Sequence, residues 1–187
     1  MTNTKDVVRN LEKEMDNVTK DLRREFSTIR TGRANPAILD RVVVGYYGTP
    51  TPLPQLASVS VQDSRVLLVQ PWDRNIVKDI EKAILKSDLG LTPAVDGAVI
   101  RIAIPPLTAE RRSELTKLAR KVAEEHRVAV RNLRRDANDL IKKAEKSEGL
   151  PENESRRLQE EVQKLTDKFI GQIDQLLAEK EKEITEV

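Results

Sequence analysis

A helical pattern from about Thr108 to Ala144 is the feature that most limits how this chain can fold. At about 1.5 Å per residue, one helix of that length would span roughly 55 Å. Turning ~100° per residue gathers a set of apolar side chains on one side of it. We expect that side to be buried, and it consists of Leu115, Leu118, Val122, Ala129, Leu133 and Leu140.

Four arginines on the same helix, Arg120, Arg127, Arg131 and Arg134, fall within ~60° of one another, opposite these apolar residues. We call this set the arginine face. Guanidinium is always charged, planar and forked, which suits phosphate, so the arginine face is a candidate surface for an RNA backbone. The competing interpretation is a solvated helix face, which is the commoner role of a run of charges. The near-exclusive use of arginine, with Glu124 as the main acidic residue at that angle, favours RNA.

The charge of the chain is unevenly distributed, although its net charge is only +2. Residues 111–146 carry twelve Lys and Arg and six Asp and Glu, a net of +6. Residues 147–187 carry six and eleven, a net of −5. This asymmetry predicts a basic face that attracts phosphate beside an acidic face that limits indiscriminate RNA binding.

Two further segments have narrow apolar seams typical of helices that need partner helices. One covers residues 5–29, with Thr4 as the expected N-cap, and the other begins near Glu152 or Ser155. Together with the long helix they predict a three-helix bundle formed by residues 1–30 and 107–187. The seam residues are Val8, Leu11, Met15, Val18, Leu22, Phe26 and Ile29 in the first segment, and Leu158, Val162, Leu165, Phe169, Ile173, Leu176 and Ile184 in the last.

Residues 31–106 interrupt the helical protein and read as a small β/α/β domain. Strands are expected near residues 39–47, 59–61, 65–70 and 98–104, and a helix capped by Asn75 is expected to run to about Ser87. Trp72 is expected to cover the core of this domain. Gly32 marks the first junction and Pro105 and Pro106 mark the second, so we predict a two-strand hinge at Thr31, Gly32, Pro105 and Pro106.

Composition excludes several classes of function. The chain has no cysteine and a single histidine, so disulfides, thiolate chemistry and a His/Cys metal site are not expected. Phosphate-binding glycine motifs are absent and no acid/base pair stands out, so we predict a protein that is not an enzyme and needs no cofactor or metal. Aromatic residues make up 3% of the chain, which disfavours a base-stacking platform. Without a signal core or an apolar run of membrane length, we expect a cytoplasmic monomer with no membrane partner.

Five segments, in order along nearly the whole chain, resemble the bacterial ribosome recycling factor family. They are RTGRANP at 30–36, YGTPTPL at 47–53, SDLGL at 87–91, PLTAERR at 106–112 and RVAVRNLRRDA at 127–137. The resemblance implies an elongated, L-shaped α+β protein, similar in outline to tRNA, in which a three-helix bundle carries the small domain.

The resemblance also implies a function. Members of this family bind the large ribosomal subunit after translation termination, near the peptidyl-transferase region and the inter-subunit bridges. With elongation factor G and GTP they split the complex into subunits and release mRNA and tRNA. The family's RNA-contacting arginines correspond to Arg127, Arg131 and Arg134, and those of the first motif to Arg30 and Arg33. Arg120 is added to these predicted RNA-contacting arginines on the basis of helical geometry alone. The alternative is a helical adaptor or chaperone-like protein whose arginine face only solubilises it.

Overall fold

The computed structural model describes residues 3–185, which form two compact units. One unit contains residues 3–30 and 110–185, and the other contains residues 31–109. The chain is α+β, as the sequence predicts. Its α-helices are α1 (Thr4–Ser27), α2 (Val77–Lys86), α3 (Ala109–Ser147) and α4 (Glu152–Thr185).

The first unit is a three-helix bundle in which α1, α3 and α4 contact one another. At one end of α3, Arg120 bonds Glu181 near the end of α4, and at the other end Glu145 accepts from Ser155 near its start, so these helices are antiparallel. A contact of 3.9 Å between His126 Nε2 and Glu25 Oε1 joins α3 to α1. Lys168 Nζ lies 3.7 Å from Glu12 Oε1, which joins α4 to α1.

The buried face of α3 differs from the predicted one. Leu118 and Leu140 were expected inside, yet they are 44% and 45% exposed. The centre of the buried stripe lies roughly 80° from the arginine face rather than opposite it. In the bundle α1 and α4 approach each other most closely, and the stripe of α3 faces them with mostly small side chains. It consists of Leu115, Ala119, Ala123, Val130, Ala137, Ile141 and Ala144.

The expected N-cap of α1 is shifted by one residue. Asn3, not Thr4, is the N-cap, and its side-chain oxygen accepts a hydrogen bond of 3.3 Å from the Lys5 amide. Asp6 lies in the first turn, where a carboxylate opposes the positive end of the helix dipole. Leu11, Met15 and Leu22 of the predicted seam are almost fully buried.

The second unit is built on an antiparallel four-stranded sheet and a separate two-stranded hairpin. The hairpin pairs β1 (Val43–Tyr46) with β2 (Thr49–Pro52). The sheet has the order β3-β4-β6-β5. Its strands are β3 (Ala57–Asp63), β4 (Val66–Pro71), β5 (Thr92–Asp96) and β6 (Val99–Ala103).

Three local expectations for this unit were wrong. The strand expected from residue 39 begins at Val43, because Pro36–Leu39 forms a 3-10 turn that Asn35 caps by accepting from the Ala37 amide. The strand β5 was not predicted at all. Asn75 does not cap α2; it lies inside a 3-10 turn, Arg74–Ile76, that Asp73 caps by accepting from the Asn75 amide at 2.9 Å.

The core of the second unit lies between the sheet and α2. Alternating residues of the central strands point inward, so that Leu67, Val69, Ile100 and Ile102 are fully buried. The apolar side of α2 contributes Ile80 and Ile84, which are also fully buried. The segment around the hairpin adds Leu39, Val44 and Leu53, also fully buried, so the core extends from the sheet and α2 to the hairpin.

The two chain connections at the edge of the second unit run side by side. Gly32 is buried with φ +77°, a conformation that favours glycine. A Cβ at this position would lie 3.3 Å from Leu107 Cγ and 3.8 Å from the Pro105 carbonyl oxygen. Thr31 is 7% exposed, whereas Pro105 and Pro106 are exposed. The residues predicted as a hinge thus include one glycine that both the backbone angle and the close approach require.

Candidate RNA-binding interface

The arginine face lies along the side of α3 that borders α4. Arg120 Nε donates to Glu181 Oε1 at 2.6 Å, and Arg127 Nε donates to Asp174 Oδ1 at 2.7 Å. Arg134 Nη1 donates to the amide oxygen of Gln163 at 3.4 Å. Three of the four predicted arginines therefore contact residues of α4, which the sequence analysis did not anticipate.

Arg127 is the most enclosed member of the arginine face, with a side chain only 19% exposed. Two carboxylates hold it, Asp174 of α4 and Glu124 one turn earlier on α3. Partial burial lowers the pKa of Arg127, but the bonds to Asp174 and then Glu124 outweigh it and hold the pKa above its ordinary value. Arg127 thus binds the two long helices to each other, because its guanidinium serves both at once.

Glu124 is shared between two arginines. Its Oε2 accepts from Arg127 Nη1 at 2.9 Å and its Oε1 accepts from Arg131 Nη1 at 3.1 Å. The bond from Arg127, followed by the bond from Arg131, holds the pKa of Glu124 below its ordinary value. A lowered pKa means that both ion pairs stabilise the fold at neutral pH and are lost only when the pH falls through that lowered pKa.

Arg131 and Arg134 are the members of the arginine face that are held most weakly. Arg131 has a side chain 44% exposed and one acidic partner, Glu124, which lies on the same helix. Arg134 has a neutral amide partner at a long distance. The neighbouring Arg135 is exposed and has no ion pair among residues 3–185. The sequence analysis did not select Arg135, although it lies roughly 40° around the helix from Arg131.

The other two predicted arginines belong to different units. Arg30 follows the end of α1 in the helical unit, and Arg33 lies in the small unit, one residue after Gly32. Both are exposed, and neither forms an ion pair within its own unit in the part of the chain that the structure describes. The hinge residues Thr31, Gly32, Pro105 and Pro106 all belong to the small unit.

The side chain of the single histidine, His126, is largely buried in the helical unit. The side chain of His126 is 11% exposed, and its Nδ1 lies 2.7 Å from the Val122 carbonyl oxygen. Within residues 3–185, no group of His, Cys, Asp and Glu side chains is arranged to hold a metal ion. None of the described helices has the length and apolarity that a membrane span requires.

The small unit carries three aromatic residues, Tyr46, Tyr47 and Trp72, which we call the aromatic surface; Tyr46 is half-buried against the core, and the other two are exposed. Trp72 was expected to cover the core, but it is 68% exposed, and Tyr47 is 76% exposed. The two tyrosine rings meet edge to face with centroids 4.6 Å apart. The negative charge of Asp73, next to Trp72, raises the pKa of the Tyr47 hydroxyl.

Tyr47 also has an unusual backbone. Its φ is +47°, the single positive value among the described residues other than glycine, in the turn between β1 and β2. An aromatic residue is strained there, whereas asparagine or glycine is not. Strain of this kind is found where a side chain serves a function. One feature of the sequence could have indicated this strain: Tyr47 directly precedes Gly48 in a two-residue hairpin turn.

Comparison with known proteins identifies the family. The family model for Ribosome recycling factor matches residues 22–185. The chain belongs to the ribosome recycling factor family. The ribosome-recycling factor of Moorella thermoacetica is 60% identical over 182 residues, covering 97% of this chain and 98% of that protein. That of Halalkalibacterium halodurans is 59% identical over 184 residues, covering 98% and 100%. The family predicted from the five sequence segments is confirmed.

Solved structures of family members share the fold. The solution structure of a ribosome recycling factor aligns with a TM-score of 0.73 and 43% identity over 100% of both chains. A second similar chain, with TM-score 0.63 and 48% identity over 98% of this chain and 99% of that chain, comes from models for the T. thermophilus ribosome recycling factor and the E. coli elongation factor G bound to the E. coli post-termination complex.

Arg127 and Arg131 are expected to differ in their effect on stability. Arg127→Ala removes an ion pair between helices and leaves Asp174 without its cation, so we expect a loss of about 1 kcal/mol in the free energy of unfolding. Arg131→Ala removes an exposed pair within one helix, which contributes about 0.3–0.5 kcal/mol at most. Thermal unfolding followed by circular dichroism, which the long helices dominate, measures both. Equal melting temperatures for the two variants would contradict the assignment of Arg127 as the arginine that joins α3 to α4.

Proposed function

We propose that this protein recycles ribosomes after translation termination, acting in the cytoplasm as a monomer that is not itself an enzyme. In this proposal it binds the large ribosomal subunit and, with elongation factor G and GTP, splits the post-termination complex into subunits, releasing mRNA and tRNA. The observation that carries the proposal is family membership over nearly the whole chain. The basic surface of α3 supports it, because a rigid helix lined with arginine suits RNA recognised by backbone and shape.

We assign the contacts with ribosomal RNA to six arginines: Arg30, Arg33, Arg120, Arg127, Arg131 and Arg134. Within this set we give the main role to Arg131 and Arg134, because their contacts inside the protein are the weakest and a phosphate can replace them at low cost. Arg120 and Arg127 would contribute charge while remaining bonded to α4. Arg135, exposed and close to Arg131 on the helix, is added to the proposed surface.

The alternative remains an adaptor that binds other proteins through the bundle, with the arginines as solubilising groups. The ion pairs to α4 would give those arginines a structural role in either case. The two functions differ in their salt dependence, since phosphate contacts release counterions and contacts of an adaptor need not do so.

Removing both weakly held arginines is expected to impair ribosome binding without unfolding the protein. For Arg131→Ala/Arg134→Ala, we expect weaker co-sedimentation with vacant ribosomes and a log–log salt slope smaller by about one for each lost contact. The matched control is Arg156→Ala/Arg157→Ala, which removes the same charge from exposed positions of α4. If both double variants bind alike and remain helical, the arginine face is not the RNA contact, and the adaptor interpretation gains.

We assign contact with elongation factor G to the small unit, at the aromatic surface. Large exposed aromatic side chains are the residue types that contribute most at protein interfaces, and this chain has few aromatics to place there. The strained backbone of Tyr47 supports the same assignment. Asparagine or glycine would fit this turn without strain, but neither has an aromatic ring to offer a partner.

Substitutions in the aromatic surface are expected to slow the splitting of ribosomes into subunits without weakening ribosome binding. Tyr47→Asn relieves the backbone strain and Trp72→Ser removes an exposed ring, so neither change should destabilise the fold. We expect ribosome affinity to remain within about twofold of wild type and splitting that depends on elongation factor G to slow by roughly tenfold or more. Val61→Ser, at another exposed position of the small unit, is the control. Wild-type splitting by both aromatic variants would rule the surface out.

The joint at Thr31, Gly32, Pro105 and Pro106 is proposed to act as a hinge that lets the small unit respond to the GTPase. Two thin connections that run side by side can bend together, whereas a packed interface of many side chains cannot. The close approach of Gly32 to Pro105 and Leu107 keeps the two connections paired.

Cross-linking the two connections tests the hinge. The chain has no cysteine, so cysteines introduced at the exposed positions Arg33 and Pro106 would be the sole targets of a bifunctional maleimide. Because Arg33 is one of the proposed RNA contacts, affinity is compared within this double variant: we expect the cross-linked protein to bind ribosomes as tightly as the same variant without a cross-link, but to split them more slowly, because bending requires the connections to move. The same double variant treated with a monofunctional maleimide is the control. Splitting at the full rate by the cross-linked protein would show that no bending is needed there.

A further inference from the structure

Among residues 3–185, Glu124 is the one carboxylate that bonds two arginines of the arginine face at the same time. It is 52% exposed and lies between Arg127 and Arg131, at the position where a phosphate oxygen would be placed to receive the same bonds. A phosphate that binds Arg131 must therefore replace this carboxylate or accept its repulsion. We propose that Glu124 is an affinity-limiting residue of the RNA interface, a built-in competing anion that keeps ribosome binding weak enough for release. This inference rests on the proposed function of the arginine face.

The contacts around Arg127 explain why the effect of Glu124 is exerted mainly through Arg131. Arg127 is held to Asp174 by contacts that do not involve Glu124: its Nε donates to Asp174 Oδ1 at 2.7 Å, and its Nη2 lies 2.7 Å from the same oxygen. Arg131 has Glu124 as its one ion-pair partner among the described residues. Neutralising Glu124 would thus release Arg131 while Arg127 stays bonded to α4, so α3 and α4 remain joined.

If Glu124 instead helped RNA binding, its removal would change ribosome affinity in the opposite direction. A carboxylate that oriented Arg131 for RNA would strengthen binding, and its removal would weaken it. Competition is favoured here because the Glu124–Arg131 pair is exposed and its bond is 3.1 Å long, while orientation in advance requires a rigid, enclosed contact. Glu124 and Arg131 also lie on the same helix seven residues apart, so their bond fixes no relation between helices.

Two other carboxylates border the arginine face but are not assigned this role. Asp174 and Glu181 bind arginines across the α3–α4 boundary, and Glu181 is 28% exposed. Their removal would disturb helix packing as well as charge. Glu124 is therefore the position where competition can be measured apart from folding.

The test is to compare Glu124→Gln with wild type in binding to vacant large ribosomal subunits across a salt series. We expect affinity to rise roughly two- to fivefold, the range for loss of one exposed competing pair, with most of the change in a slower dissociation rate. The matched control is Glu125→Gln on the next position of α3. It removes the same charge about 100° around the helix, and Glu125 has no ion pair among the described residues.

A double-mutant cycle with Arg131→Ala locates the effect. The affinity gained from Glu124→Gln should shrink toward none when Arg131 is absent, because the arginine that it frees has been removed. Circular dichroism of all variants checks that each is folded.

The outcomes separate this inference from the proposed function. If Arg131→Ala weakens binding while Glu124→Gln leaves it unchanged or weakens it, the arginine contacts RNA but Glu124 is not a competitor. If Glu124→Gln and Glu125→Gln tighten binding equally, the effect is general charge and the inference is overturned. If Arg131→Ala leaves binding unchanged, the assigned contact itself fails, whatever Glu124→Gln does.

Discussion

An alanine-rich stripe on α3, buried in the bundle together with the larger side chains of α1 and α4, is the constraint on which the helical unit depends. Four of the seven buried residues of α3 are alanine, namely Ala119, Ala123, Ala137 and Ala144. Each buried alanine removes little apolar surface from water, so the larger side chains of α1 and α4 must supply most of the hydrophobic stabilisation. Met15, Leu22 and Ile173 do so and are fully buried. The polar bonds at the edge of the stripe then help to fix how α3 and α4 align.

That same stripe explains what the sequence could and could not predict. Helical periodicity gave the three long helices and their approximate ends, because it depends only on residue spacing. It misplaced the buried face of α3, since Leu118 and Leu140 outweigh alanine on any scale of hydrophobicity although they lie outside. The buried side of α3 is the side that faces α1 and α4, and a row of alanines on that side cannot be recognised from hydrophobicity alone. The caps were missed by one or two residues because Asn3 and Thr4, or Asp73 and Asn75, are equally plausible by residue type.

For the candidate site, the arginines themselves were predictable and their partners were not. Glu181 and Asp174 are 61 and 47 residues away in sequence from the arginines they bind, so no local pattern relates them. The relation arises only when α4 returns antiparallel to α3. The aromatic surface was missed for a different reason: Trp72 follows a buried strand, where a ring usually packs inward, and its exposure depends on how the chain turns after Pro71.

The arginines of the arginine face have different roles because their side chains are buried to different extents. An ion pair whose members are partly exposed has lost little hydration, so exchanging one anion for another changes the free energy only slightly. Arg131 fits this description, and a phosphate can replace Glu124 there at small cost. Arg127, enclosed by two carboxylates from two helices, does not, because moving it would leave Asp174 without its partner. One row of identical side chains can therefore hold the bundle together and still offer a reversible contact, since the neighbours of each arginine determine which role it takes.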